Sequence, residues 1–361
     1  MPSRPFRFRV AAFMKDTLNR VLRRLRDPRV VNGIGLGLLA LVGVWLVVNF
    51  IKGPQEFVNV ALDGLTRGSI YGVVALGYTL VYGILQLINF AHGDVFSLSG
   101  LVASTMLLTV LGLTGDSSNL AVVGGIIVTL AVTIPLFAVV NATIERVAYR
   151  PLRHAPRLTP LITAVGMSFI VSNISLALYG VDYESGSDLI PQGAAFTIGD
   201  IIVTWKLVVA LAIIVPALFV LSWFVGYTRQ GKAMRAVAQD TEASAMMGIN
   251  VNRTISVTFL IAGALAAVAG LVFLLEYNIR YDTGFELGLI AFTAAVLGGI
   301  GNLAGAVVGA LVIGFVQSFN EGLTWHAPGG DWTRSIVFGI LIAVLVFRPE
   351  GILGEQTPEG A

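Results

Sequence analysis

Residues 203–225 read VTWKLVVALAIIVPALFVLSWFV, with one charge, Lys206, near the start. From Trp205 to Trp223 is 18 residues, which as a helix at ~1.5 Å each cover ~27 Å. That nearly matches a hydrocarbon core of ~30 Å and sets two amphipathic indoles at opposite interfaces. The stretch reads as a bilayer span, and it supplies the ruler for the rest of the chain.

Outward from it, comparable apolar blocks fall at 33–51, 69–88, 96–113, 121–141, 160–179 and 254–275. A glycine-rich apolar stretch at 287–320 and a last block at 334–347 complete the set. The predicted fold is therefore all-α, a polytopic transmembrane helical bundle of about ten spans, or eight plus a re-entrant pair. Composition agrees: 56% of the 361 residues are hydrophobic and 12% are charged, where soluble domains carry about 25% charge. A net charge of +2 gives no reason to expect nucleic acid as a partner. The absence of cysteine excludes disulfides and thiolate chemistry, and three scattered histidines (His92, His154, His326) argue against a metal centre.

Charge placement orients the spans. Residues 1–30 hold nine basic residues, Arg4 to Arg29, against Asp16 and Asp27. This is no signal peptide; it is a basic cytoplasmic extension, read either as an amphipathic helix on anionic lipid or as a solvated tail. With that end inside, alternation puts Arg146, Arg150, Arg153 and Arg157 inside, and also Arg229, Lys232, Arg235 and Arg253. The loop at 180–200, with Asp182, Glu184, Asp188 and Asp200 and no Lys or Arg, falls outside. The positive-inside rule is met at each loop, so both termini are expected in the cytoplasm. The domain reading is an extension at 1–30, a transmembrane domain at 31–353 with a cytoplasmic loop at 226–253, and a tail at 354–361.

Four segments carry more than a lipid-facing helix needs. In Asn89-Phe90-Ala91-His92-Gly93-Asp94-Val95-Phe96-Ser97 the residues Asn89, His92, Asp94 and Ser97 are costly in lipid, so they are candidates to line a pathway; a solvated cytoplasmic turn is the alternative. The loop at 226–253 presents Arg235, Asp240, Glu242, Ala243 and Ser244 on a short amphipathic helix stopped by Gly248, a form suited to docking a soluble partner. Thr293, Gly298, Gly299 and Gly301 lie in a small-residue stretch that allows close helix packing or a break beside a solute path. External acids Glu276, Asp282 and Glu286, with Asp182, Glu184 and Asp188, are either a docking face or solvated loop charge.

Gly226 to Lys232 imitates a phosphate-binding loop, G-x-x-x-x-G-K, but Ala233 lacks the hydroxyl that Mg²⁺ needs and no strand precedes it. Ser168 and Ser172 lie in an apolar span with no histidine near in sequence, so no nucleophile–base set is visible and an enzyme is not expected.

Taken together, several segments resemble the LivH-type permease of bacterial branched-chain amino-acid ABC importers. They are Gly68–Gly72, Gly77–Gly83, Asn89–Asp94, Arg235–Asp240 with Met247–Asn250, Ala291–Gly301 and Phe347–Gly351. The resemblance implies an inner-membrane subunit forming half of a pathway with a homologous LivM-type permease. It also implies two cytoplasmic ATPases, which would hold the ATP and Mg²⁺, and an extracytoplasmic solute-binding protein that delivers Leu, Ile or Val. No cofactor is expected in this chain. Arg235, Asp240, Glu242, Ala243, Ser244 and Gly248 then become the ATPase-coupling loop, with Ser244 where many importers have alanine. Permeases for urea or short amides share these motifs. From a different class, a passive channel or secondary transporter stays open; the scarcity of ionisable residues in the spans disfavours ion coupling.

Overall fold

The structure, a computed structural model, describes residues 28–354 apart from positions 154, 157 and 349. The basic extension at 1–27, His154, Arg157 and the tail from 355 lie outside the described residues. Twelve α-helices are described: α1 (Pro28–Lys52), α2 (Pro54–Leu85), α3 (Ala91–Ser104), α4 (Asn119–Ile144), α5 (Leu158–Tyr179) and α6 (Trp205–Tyr227). Then come α7 (Arg229–Gln239), α8 (Thr241–Met246), α9 (Val251–Glu276), α10 (Thr283–Gly298), α11 (Leu303–Gly322) and α12 (Gly330–Phe347). Among the described residues nine helices are long and apolar enough to cross a bilayer. The sixteen residues of α10, also apolar, cover ~24 Å and fall short of that length.

The chain divides into two units, to Phe57 and from Val58. In the first, α1 exposes Leu36, Leu41, Val44 and Ile51, as a helix dissolved in lipid does. The second holds the core. Its centre is α3, buried at every position except Val102 and packed against α4, α5, α9 and α10.

Two departures from the sequence reading have physical causes. The second span begins at Pro54, not 69, because Arg67, a charge ahead of the predicted span, is held by protein partners. Arg67 donates to Glu321 on α11 at 2.5 Å, and its guanidinium lies 5.6 Å from the Tyr277 ring centroid. Within the acidic segment, and running on into the sixth predicted span, β1 (Ala194–Ile198) and β2 (Ile201–Thr204) form an antiparallel hairpin. Thr204 then caps α6 by accepting from Leu207 N at 3.3 Å.

The glycine-rich stretch makes two helices, α10 and α11, joined by a turn at 299–302. Gly299 and Gly301 take φ of +106° and +98° there, a region open to glycine at little cost. Close backbone approach explains the remaining small residues. A Cβ on Gly309 would stand 2.7 Å from Gly298 N, and one on Gly68 2.8 Å from Leu311 Cα. Lipid offers no hydrophobic drive for helix association, so this intimacy is the source of packing energy.

Candidate functional site

After α2 the chain breaks: Gln86 adopts φ +52° and residues 86–89 are not helical. The chain then re-enters as α3, which carries polar side chains into the bundle. His92, Asp94 and Ser97 have no solvent exposure and Asn89 has 2%. A solvated turn is therefore ruled out for this segment. Tyr149 donates to Asn89 Oδ1 at 2.7 Å, Ser168 on α5 donates to Asp94, and Ser97 donates to the Arg280 carbonyl at 2.6 Å. His92 meets the Tyr78 ring edge-on at 4.9 Å and occupies space that Gly77 leaves; a Cβ there would collide with the imidazole. Asp94 Oδ1 and Asn89 Nδ2 have no hydrogen-bond partner among the described residues. Such groups are expensive in a dry interior.

Sequence order could not pair Ser168 with Asp94, 74 residues apart, or Tyr149 with Asn89. Ser168 anchors Asp94 from α5. Thr293 bonds back to the Leu289 carbonyl at 2.8 Å.

The segment that follows the Phe347–Gly351 motif has a structural task the sequence did not disclose. Ile352 N and Leu353 N donate to the Leu297 and Gly298 carbonyls at 2.8 and 3.0 Å, and Asn302 Nδ2 donates to the Leu353 carbonyl at 2.8 Å. The segment thus closes the carbonyls that α10 leaves at its C-terminus.

The predicted single helix in 226–253 is an elbow of two. Thr228 caps α7 and Asp240 caps α8, accepting from Ala243 N at 2.8 Å. Gly248, at φ +83°, ends α8 as its N–H donates to Ala245 O, while Ile249 N donates to Ser244 O at 3.0 Å. Ser244 is buried; Glu242 is exposed, and Met246 and Met247 are each 83% exposed. Arg235 donates to the Val225 and Gly226 carbonyls and so ties α7 to the end of α6.

Beside this elbow lies a cavity of 670 Å³ between α2, α6, α7 and α11. Of the eight pathway candidates only Gly301 borders it; Asn89, His92, Asp94, Ser97, Thr293, Gly298 and Gly299 do not. The same cavity joins the 299–302 turn to Arg235 and Gln239, so turn and elbow share one face of the bundle. Near that face Glu145, fully buried, is paired with Arg153 and accepts from Ser256 at 2.7 Å. Burial pulls the Arg153 guanidinium down, and the Glu145 charge holds it up.

At the opposite face the acids are partly committed. Ser104 donates to Glu184 at 2.7 Å, Arg280 grips Asp282 through two bonds of 2.6 Å, and Arg334 grips Glu286 at 2.5 and 2.7 Å. The Asp282 hydrogen bond raises the Arg280 pKa. Asp182 and Asp188 are exposed at the surface.

A bundle with nine helices, among the described residues, long and apolar enough to cross a bilayer, packed around a polar central helix, is a multi-pass membrane protein. The chain belongs to the family described as "Branched-chain amino acid transport system / permease component", which it matches over residues 60–346. It is 38% identical over 311 residues to the high-affinity branched-chain amino acid transport system permease protein BraD of Pseudomonas aeruginosa, covering 84% of this chain and 97% of that one. To LivH of Salmonella typhimurium, a permease protein of a system of the same description, it is 36% identical over 308 residues with the same coverage. Identity to the ribose import permease protein RbsC of Escherichia coli is 25% over 328 residues, 86% of this chain and 92% of that one. The protein is a multi-pass component of the bacterial inner membrane.

Proposed function

We propose that this chain forms half of the translocation pathway of an ATP-driven importer of leucine, isoleucine and valine. A homologous LivM-type permease supplies the other half, two cytoplasmic ATPases bind ATP and Mg²⁺, and an extracytoplasmic binding protein delivers the solute. The observation that carries the reading is the α7–α8 elbow: two capped helices that present Glu242, Met246 and Met247 on a rigid base. Arg235, Asp240, Ala243, Ser244 and Gly248 hold its shape. ATP binding closes the ATPases, the elbow passes that movement to α6 and α9, and the pathway changes its exposure. The work comes from the nucleotide's differential affinity for the two conformations. In this scheme Gly301 sits in the turn beside the elbow, whereas Asn89, His92, Asp94, Ser97, Thr293, Gly298 and Gly299 brace the pathway wall from behind. Both termini are cytoplasmic in this scheme, and residues 31–353 form the permease domain.

The test is reconstitution with the second permease, the ATPases and the binding protein, followed by uptake of labelled leucine. Glu242→Ala and Gly248→Val should each cut ATP-driven uptake about tenfold, a loss of ~1.4 kcal/mol in coupling, while ATP hydrolysis continues. A β-branched residue at positive φ costs ~1–2 kcal/mol, enough to misplace the elbow. Unchanged uptake in both variants removes the elbow from the mechanism.

A further inference from the structure

The 670 Å³ cavity beside α7 falls within the ~300–1,000 Å³ range of ligand sites and would hold about 20 waters at ~30 Å³ each. Its walls are the wrong kind for water. Leu76 and Leu80 of α2, Leu218 of α6 and Val307 of α11 make the depth of the groove apolar, while Arg235, Gln239 and Asn302 also line it. The groove opens beside α6, whose Val215, Phe219, Val220 and Trp223 are all exposed and apolar, the surface a lipid-facing helix needs. Trp223 adjoins the lining residue Ser222 and marks the depth of the headgroups. Arg235 spends one nitrogen, Nη1, on the Val225 and Gly226 carbonyls, which fixes the guanidinium in place and leaves its other donors for a ligand. Lys232, exposed one turn away on α7, adds a second positive charge.

We infer that this groove holds one anionic phospholipid, its phosphate against Arg235 and Gln239 and an acyl chain along Leu76, Leu80, Leu218 and Val307. Charge selects the occupant: the positive end of the groove lies on the face that carries Arg229, Lys232 and Arg253, which attracts anionic headgroups. Arginine's planar fork suits a phosphate better than a lysine would. The bound lipid would fill the space between α6 and α7, so the elbow and the span behind it move as one body. This inference rests only on the membrane-spanning fold and is independent of the transported solute.

The experiment uses the full-length chain with the subunits it assembles with, in nanodiscs of phosphatidylethanolamine and phosphatidylglycerol, read by native mass spectrometry. The wild type should retain one phosphatidylglycerol. Arg235→Gln should weaken retention about tenfold, the effect of losing a charge-assisted hydrogen bond. Val307→Trp, which fills the groove from a neutral side, should abolish it, with thermal unfolding confirming that both variants fold. A wild type without bound lipid, equal retention in both variants, or no preference for phosphatidylglycerol over phosphatidylethanolamine would each overturn the inference. A cross-link from Ala304→Cys at the groove to a neighbouring permease would overturn it too, by showing protein where the lipid should be.

Discussion

Gly93→Val should abolish the folded bundle, whereas Gly166→Ala and Gly124→Ala should leave it intact. Gly93 lies in the first turn of α3, and a Cβ there would sit 2.9 Å from Gly288 Cα, with the Gly284 carbonyl closer still. The approach is reciprocal, since a Cβ on Gly284 would stand 2.8 Å from Asp94 Cα. Both neighbours are backbone, so no rotamer change can absorb the added atoms. Overpacking costs ~1–3 kcal/mol where side chains can yield and more where they cannot. Separating α3 from α10 would also pull Asp94 from Ser168. At Gly124 and Gly166 an added methyl would meet nothing within 4 Å, and alanine favours a helix by ~0.5–1 kcal/mol over glycine. Fluorescence-detected size-exclusion after heating separates these outcomes; a monodisperse Gly93→Val protein with wild-type thermal stability would contradict the packing described.

Arg153→Ala should be nearly as damaging through electrostatics. It removes the charge that compensates Glu145, whose side chain has no solvent exposure. Ser256 would still donate to Glu145, and the Arg153 bond to Asn252 at 2.5 Å would be lost as well. Stranding a buried carboxylate costs ~3–5 kcal/mol, whereas replacing both partners is often close to neutral. Thermal unfolding should therefore show a large loss for Arg153→Ala and substantial recovery when Glu145→Gln is added. Equal stability of the single and double variants would show that the pair does not carry this load.

The residues that the chain order made legible were those whose cost in lipid is local. Trp205 and Trp223 fixed the span length, and the basic and acidic loops fixed a consistent alternation. His92 and Asp94 stood out as polar groups a bilayer tolerates only when protein encloses them, and the structure encloses them fully. What enclosed them was not legible: Ser168, Tyr149 and Gly77 look like ordinary span residues until tertiary packing brings them to α3. The early start of the second span was hidden for the same reason, because Glu321, the partner of Arg67, is 254 residues away. The hairpin at 194–204 escaped notice because its strands are short and were counted partly as loop and partly as the start of a span. The Gly298–Gly301 break was visible as composition, but its closure by Ile352 and Leu353 depends on the return of α12, which no local pattern records.

The account turns on the elbow facing the cytoplasm, where a motor can reach it. Because the chain has no cysteine, a single Met247→Cys variant reports that position alone, at a side chain 83% exposed. A membrane-impermeant maleimide should label it in inside-out vesicles and not in intact cells, with Tyr183→Cys, exposed near the hairpin, showing the reverse. Labelling of Met247→Cys from outside intact cells would contradict the account.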